Sequence, residues 1–296
     1  MAVIVPEAVL APFEAFTCYN SPYVAHDDGR AIDLYPGTDR AISPVAGVVR
    51  AVECVRAPPR PYSPPHDGLV VVDPAGAGGP FDRGDGTTPL ARLLHLDPAV
   101  EVGDPVAVGD DLGELIRAGF FAPWVANHLH LGFRPRDADV RRARGSLALS
   151  LGVDLHPVAW DGRGRVVETG PTWVELEAPP GAADAPEGAW VGLAADDGRP
   201  LDGGLPHYPA GGDLGALLEG AGDTPGGPVS LLGTRVGTAG PRSIAWSDVT
   251  LEANGVPITG LSLYWSRPER FRPKLVCPGH AVDVGDCIRV AIVPST

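Results

Sequence analysis

Short runs of alternating apolar and polar residues, each bounded by Gly, Pro, Asn or Asp, recur along the whole chain and predict strands rather than helices. In the first half the runs are Ala31–Leu34, Gly47–Val52, Gly68–Asp73, Leu93–Leu96 and Leu129–Phe133. Val100–Leu115 (VEVGDPVAVGDDLGEL) sets two Gly-Asp pairs around alternating apolar residues, the pattern of tight hairpins whose left-handed positions need glycine. Ala57–Pro65 and Pro74–Pro89 have no period and are expected to be loops at the rim of a cleft. The pattern weakens from Asp137, where a short helix is expected, and resumes at Gly164–Thr169 and Thr172–Leu176. This places a boundary near Arg165 and divides the chain into 1–165 and 166–296. The second half repeats the strand pattern at Ser243–Trp246, Leu261–Trp265 and Cys287–Val293, with one short helix expected over Leu214–Glu219 behind Asp213 as its N-cap. The expectation is a mainly β protein in which a second β-rich, accessory domain follows the first.

Composition narrows the function classes. The chain has 296 residues, 44% of them apolar, which gives each half a core, and a formal charge of -14. With no basic stripe to neutralise phosphates, nucleic acid is excluded as an expected partner. No window reaches the ~18 apolar residues of a membrane span. Met1–Phe16 carries Glu7, Glu14 and two prolines and lacks a cationic start, so it does not read as a secretory signal and a cytoplasmic location is expected. Cys18, Cys54, Cys277 and Cys287 are too few and scattered for a disulfide framework and are expected to be buried thiols. Lys274 is the one lysine, and 25 of the 37 acids are Asp, a composition expected of a salt-adapted protein.

The candidate chemistry is in the histidines. In NHLHLGF (Asn127–Phe133) strand alternation sends His128 and His130 to one face and Leu129 and Leu131 to the other. His95 sits between Leu94 and Leu96, and Asp33 between Ile32 and Leu34, in the same way. Three strands thus each set a titratable group opposite a hydrophobic pair, and His26 precedes the Asp33 strand. Neutral imidazoles and a carboxylate are ligands that zinc takes, three from the protein in a catalytic site with a position left for water.

The order His26…Asp33 in HDDGRAIDLYPG, then PVAGVV, LLHL, VEVGDPVAVGDDLGEL and HLHLGF, resembles the lysostaphin-type zinc endopeptidases that cut peptidoglycan cross-bridges, over roughly Tyr19 to Arg134. The resemblance implies a compact antiparallel β domain with zinc held by His26, Asp33 and His130, while His95 and His128 flank the reacting water and the developing oxyanion. It also implies a peptide or peptidoglycan-like substrate. Six residues separate His26 from Asp33 where the family usually has three, and Arg30 stands at the usual place, so Asp27 and Asp28 are alternatives to His26. His66, His156, His207 and His280 stand alone in loop or turn contexts. Two other functions fit parts of the pattern: a catalytically silent binding or regulatory domain of the same fold, and a histidine phosphocarrier, which has no need of Asp33.

The acidic composition generates its own test. Clustered Asp carboxylates repel at low ionic strength, and the Debye length falls from ~10 Å at 0.1 M salt to ~3 Å at 1 M. The thermal midpoint should rise from dilute buffer to molar chloride and keep rising past the range where screening saturates; a midpoint flat across that range contradicts salt adaptation.

Overall fold

The alternation along the first half becomes an antiparallel sheet. The computed structural model describes residues 2–74, 81, 87–222 and 226–295. In chain order the first unit has β1 (Val3–Pro6), β2 (Ala15–Thr17), β3 (Ala31–Tyr35), β4 (Arg40–Ile42), β5 (Gly47–Arg56), β6 (His66–Pro74), β7 (Leu90–Pro98), β8 (Pro105–Val106), β9 (Asp111–Leu115), β10 (Leu129–Arg134) and β11 (Leu149–Gly152). The sheet runs β3-β10-β7-β6-β5-β8, with β9 joining β7 to β4 and a separate parallel pair, β1 with β11. Ile32, Leu34, Val70, Val72, Leu93, Leu129, Leu131 and Phe133 lie fully buried on its core face, and each such side chain contributes about 1.5–3 kcal/mol. The two Gly-Asp pairs are turns as expected. Gly103 and Gly109 take φ of 102° and 88°, and the Asp104 and Asp110 carboxylates accept from the N–H groups of Glu101 and Ala107 at 2.8 and 2.7 Å.

The helix expected after Asp137 does not form. The buried Arg134 guanidinium donates to the carbonyls of Arg142, Ala143 and Arg144, so this segment satisfies its polar backbone as a looped turn around a side chain. Of the expected rim loops, Ala57–Pro65 is irregular apart from a bridge between Arg60 and Ser63, while residues 75–80 and 82–86 of Pro74–Pro89 lie outside the described residues.

The chain divides between Gly152 and Val153, upstream of the expected Arg165, which lies inside the strand Arg163–Gly170. The second unit comprises Val153–Thr296 together with Thr17–Pro22 from the N-terminal half. Its large sheet runs through Gly227–Leu231, Thr234–Ala239, Ile244–Trp246, Ala210–Asp213, Leu201–Leu205, Gly260–Leu263, Lys274–Val276, Trp173–Leu176, Arg163–Gly170, Cys287–Pro294, Val249–Ala253 and Val256–Ile258. The expected helix behind Asp213 is a single 3-10 turn, Leu214–Leu217, whose Gly215 N–H donates to the Asp213 carboxylate. Both units are β-rich. Among the described residues no helix is long and apolar enough to cross a membrane.

Two thiols differ from expectation: Cys18 and Cys277 are buried, but Cys54 and Cys287 are exposed, and all four are free. Cys287 stands opposite Arg165 across its strand pair.

Asp202 explains why six N-terminal residues belong to the second unit. Its fully buried carboxylate accepts from the Thr17 hydroxyl and from the Cys18 and Tyr19 N–H groups, the latter two at 2.5 and 3.2 Å. Hydrogen bonds to a charged acceptor contribute about 1.5–3 kcal/mol each, without adding fully. Asp202→Ala should therefore lower stability by about 3 kcal/mol in urea unfolding and open Thr17–Pro22 to proteolysis; an unchanged midpoint would show that the segment is held by other means.

Candidate metal centre

Strand register brings the ligand-type residues together. His130 on β10 is directly opposite Asp33 on β3 and Leu94 on β7, so His130, Asp33 and Leu94 share a face, and His128, two residues earlier, shares it too. Strict alternation would then send His95, next to Leu94, to the other face. A β-bulge prevents this. The β6–β7 register shifts between Gly68 and Leu69, and His95 takes φ of 75°, a conformation rare for a residue with a Cβ. Asp67 holds it there, one carboxylate oxygen accepting from the His95 N–H at 2.9 Å and the other contacting His95 Nδ1 at 2.5 Å. Gly68 is required at this step because a Cβ would overlap the Leu96 carbonyl.

His26 arrives by a turn. Its carbonyl accepts from Gly29 at 3.1 Å, and Asp28 and Gly29 both adopt positive φ, 56° and 63°, which turns the chain back before β3 begins. That turn absorbs the long spacing between His26 and Asp33. Asp27 and Asp28 are exposed on this turn, outside the His26, Asp33 and His130 cluster, and Arg30 donates to the Ser146 carbonyl.

His26 Nε2, Asp33 Oδ1 and His130 Nδ1 form a small triangle: 3.0 Å from His130 to Asp33, 3.2 Å between the histidines and 3.3 Å from His26 to Asp33. Ligand atoms ~2.0–2.1 Å from a tetrahedral ion stand ~3.4 Å apart, so this donor set fits a small cation such as zinc. Its chemistry fits as well. Three lone-pair atoms this close are satisfied together by a cation, and His130 Nε2, buried without a partner, is the nitrogen that carries the ring proton when Nδ1 is a ligand. Among the described residues this is the one cluster of three His, Cys, Asp or Glu side chains able to hold an ion.

The electrostatics favour the ligand states. Burial pushes His130 down to about 3, against the opposing pull of Asp33, so the imidazole is neutral at pH 7. Burial also lowers His95, opposed by Asp67. For Asp33, burial acts upward but is outweighed by the attraction of the His128, His26 and His130 imidazoles packed against it, which hold its carboxyl well below the usual range.

His128 completes the group. Its Nδ1 meets the Ala126 carbonyl at 2.9 Å, which fixes the proton there and leaves Nε2 beside Asp33 Oδ2 at 3.3 Å. The His95 ring centroid lies 5.3 Å from that of His128 and 5.7 Å from that of His130. All five expected residues are thus in one place and are 3–6% exposed. Phe121 lies over His128, centroids 4.3 Å apart, and Phe120 and Phe121 both flank His95. Asp67 was missed from sequence; its signal is the HDG at His66–Gly68, an acid beside the glycine of a bulge.

The remaining histidines lie elsewhere. His66 opens β6 and is exposed, and His156 is on the strand Leu155–Val158, not in a turn, with Nε2 on the Gly181 carbonyl at 3.0 Å. His280 sits in a turn between the Gly170 carbonyl and the Val282 N–H. His207 follows the strand Leu201–Leu205, where burial lowers it to about 4.

Comparison with known families gives two matches, Domain of unknown function (DUF8155) N-terminal domain over residues 4–151 and Domain of unknown function (DUF8155) C-terminal domain over residues 156–293. No curated protein matches. Among solved structures, "Structure of the SpoIIQ-SpoIIIAH pore forming complex" is similar at 19% identity with a TM-score of 0.21, covering 37% of this chain and 52% of that one. The similar region is thus about half of that protein's chain, and at this TM-score it bears on neither fold nor function.

The bulge sets a test independent of any metal. Gly68→Ala forces a Cβ against backbone and should cost about 2–4 kcal/mol in urea unfolding. A loss below ~0.5 kcal/mol, the size of an ordinary surface change, would show that the β6–β7 junction is not the constraint described.

Proposed function

This chain belongs to the DUF8155 family, and on that premise we propose that its N-terminal unit is a zinc-dependent hydrolase that cuts peptide bonds, with a peptide or peptidoglycan-like cross-bridge as substrate. The observation that carries the reading is the triangle of His26, Asp33 and His130 donor atoms at 3.0–3.3 Å, buried beside an imidazole oriented by its own carboxylate.

His26 Nε2, Asp33 Oδ1 and His130 Nδ1 would hold the ion. Zinc, when bound, supplies positive charge that polarises a carbonyl and lowers the pKa of a water. His95 is the general base: Asp67 keeps the ring proton on Nδ1, so Nε2 is the atom that takes and returns a proton. His128, with Nδ1 on the Ala126 carbonyl, sets Nε2 3.3 Å from Asp33 Oδ2; carrying a proton there, Nε2 donates to the negative charge developing on the substrate oxygen. Phe121 packs against both imidazoles and Phe120 against that of His95. A phosphocarrier role is disfavoured because a phosphoryl group on His128 would meet the Asp33 carboxylate.

One observation favours a second reading, a binding or regulatory unit without turnover: the five site residues are 3–6% exposed, so the site is closed to a peptide as it stands. The two readings separate in one experiment. Protein prepared without a histidine tag should contain about one zinc per chain by elemental analysis. His26→Ala, Asp33→Ala and His130→Ala should lose it, while His95→Ala and Asp27→Asn should keep it. Against a quenched-fluorescence peptide library, His95→Ala should reduce cleavage by about 10²–10⁴-fold and Asp67→Asn by about 10–100-fold. Zinc without cleavage assigns the silent reading; absence of zinc, with no stabilisation on adding it, refutes the hydrolase.

A further inference from the structure

In a chain of net charge -14, the second unit gathers three arginines and a thiol on one face of one strand pair. Arg163 on the strand Arg163–Gly170 is directly opposite Arg289 on the strand Cys287–Pro294, and Arg165 is directly opposite Cys287. Opposed residues share a face, so Arg163, Arg165, Arg289 and Cys287 project together, and all four are exposed. The Val290 N–H bonds the Gly162 carbonyl at 2.6 Å and the Val166 N–H the Asp286 carbonyl at 2.8 Å. Arg163 and Arg289 therefore form a non-hydrogen-bonded pair, the kind whose Cα atoms come within ~4.5 Å and whose side chains start closest.

Like charges placed directly opposite on a sheet are unfavourable. Among the described residues neither Arg163 nor Arg289 forms an ion pair. The neighbouring carboxylates bond to backbone: Asp161 accepts from the Arg163 N–H at 2.9 Å, and Asp286 accepts from the Asp283 N–H at 3.0 Å. The floor is held by Asn254, whose side chain donates to the Cys287 carbonyl at 3.1 Å and accepts from the Arg289 N–H at 2.8 Å. Arg163, Gly164, Asn254, Cys287, Ile288 and Arg289 line a recess of about 420 Å³.

We propose that this recess binds a phosphate group, with Arg163 and Arg289 as a double guanidinium fork and Cys287 at its edge. Two planar forks supply two positive charges and paired N–H donors, which match a dianion with three or more oxygens better than a single carboxylate. The site lies wholly in the second unit and does not depend on the metal centre.

Cys287 reports on occupancy. Full-length Cys54→Ser protein leaves Cys287 as the exposed thiol, and its modification by an anionic aromatic disulfide is followed in chloride, acetate, inorganic phosphate and phenyl phosphate at matched ionic strength. Phosphate should slow modification at least fivefold, saturably, relative to chloride and acetate, and Arg163→Gln and Arg289→Gln should each abolish the protection. Far-UV circular dichroism and the thermal midpoint of the variants check that they fold. Equal protection by both phosphates indicates a free anion; stronger protection by phenyl phosphate indicates the phosphate of a larger molecule. Rates that follow ionic strength alone, or protection that survives loss of both arginines, overturn the proposal.

Discussion

The N-terminal unit is organised around one carboxylate among three imidazoles. Asp33 is 3% exposed and has His130, His26 and His128 at 3.0, 3.3 and 3.3 Å. Taking such a carboxylate out of water costs several kcal/mol, and the cost is recovered only when its oxygens are met by well-placed donors or by a cation. The surrounding elements serve that requirement. The β3–β10 register sets Asp33 against His130, the turn at Asp28 and Gly29 returns His26 to the same point, and alternation along β10 adds His128.

Buried aspartates recur as the means by which this fold fixes unusual backbone. Asp67 pins the β7 bulge through the His95 N–H and Nδ1, and Asp202 fastens Thr17–Pro22 into the second unit through a hydroxyl and two N–H groups. In each case a short side chain with two acceptor oxygens meets donors that ordinary sheet pairing leaves over. The chemistry of the candidate site and the unit boundary thus share one physical device.

That device also marks where sequence reading reaches its limit. The three strands that carry Asp33, His95 and His130, the Gly-Asp turns and the shared face of His128 and His130 are legible because period-2 alternation and glycine turns are local, whereas His26 is reached only through the family resemblance. His95 departs from that rule: strict alternation beside Leu94 sends it to the opposite face, and the bulge restores it. Asp67, the boundary at Gly152, the transfer of Thr17–Pro22 and the Arg134-centred loop in place of a helix all depend on partners distant in sequence or on side-chain to backbone bonds, which periodicity does not report. The exposed Cys54 and Cys287 follow from which face of a strand points outward, and that too is decided by register.

The central claim is that two imidazoles and one carboxylate in the N-terminal unit form a preorganised cation site. X-ray absorption at the zinc edge, on tag-free protein loaded with one equivalent of zinc, tests it most directly. The account predicts a shell of nitrogen and oxygen near ~2.0–2.1 Å with the multiple-scattering pattern of two imidazoles and no sulfur, a pattern lost in His130→Ala. A sulfur-containing shell, or an oxygen-only shell unchanged by that substitution, would contradict it.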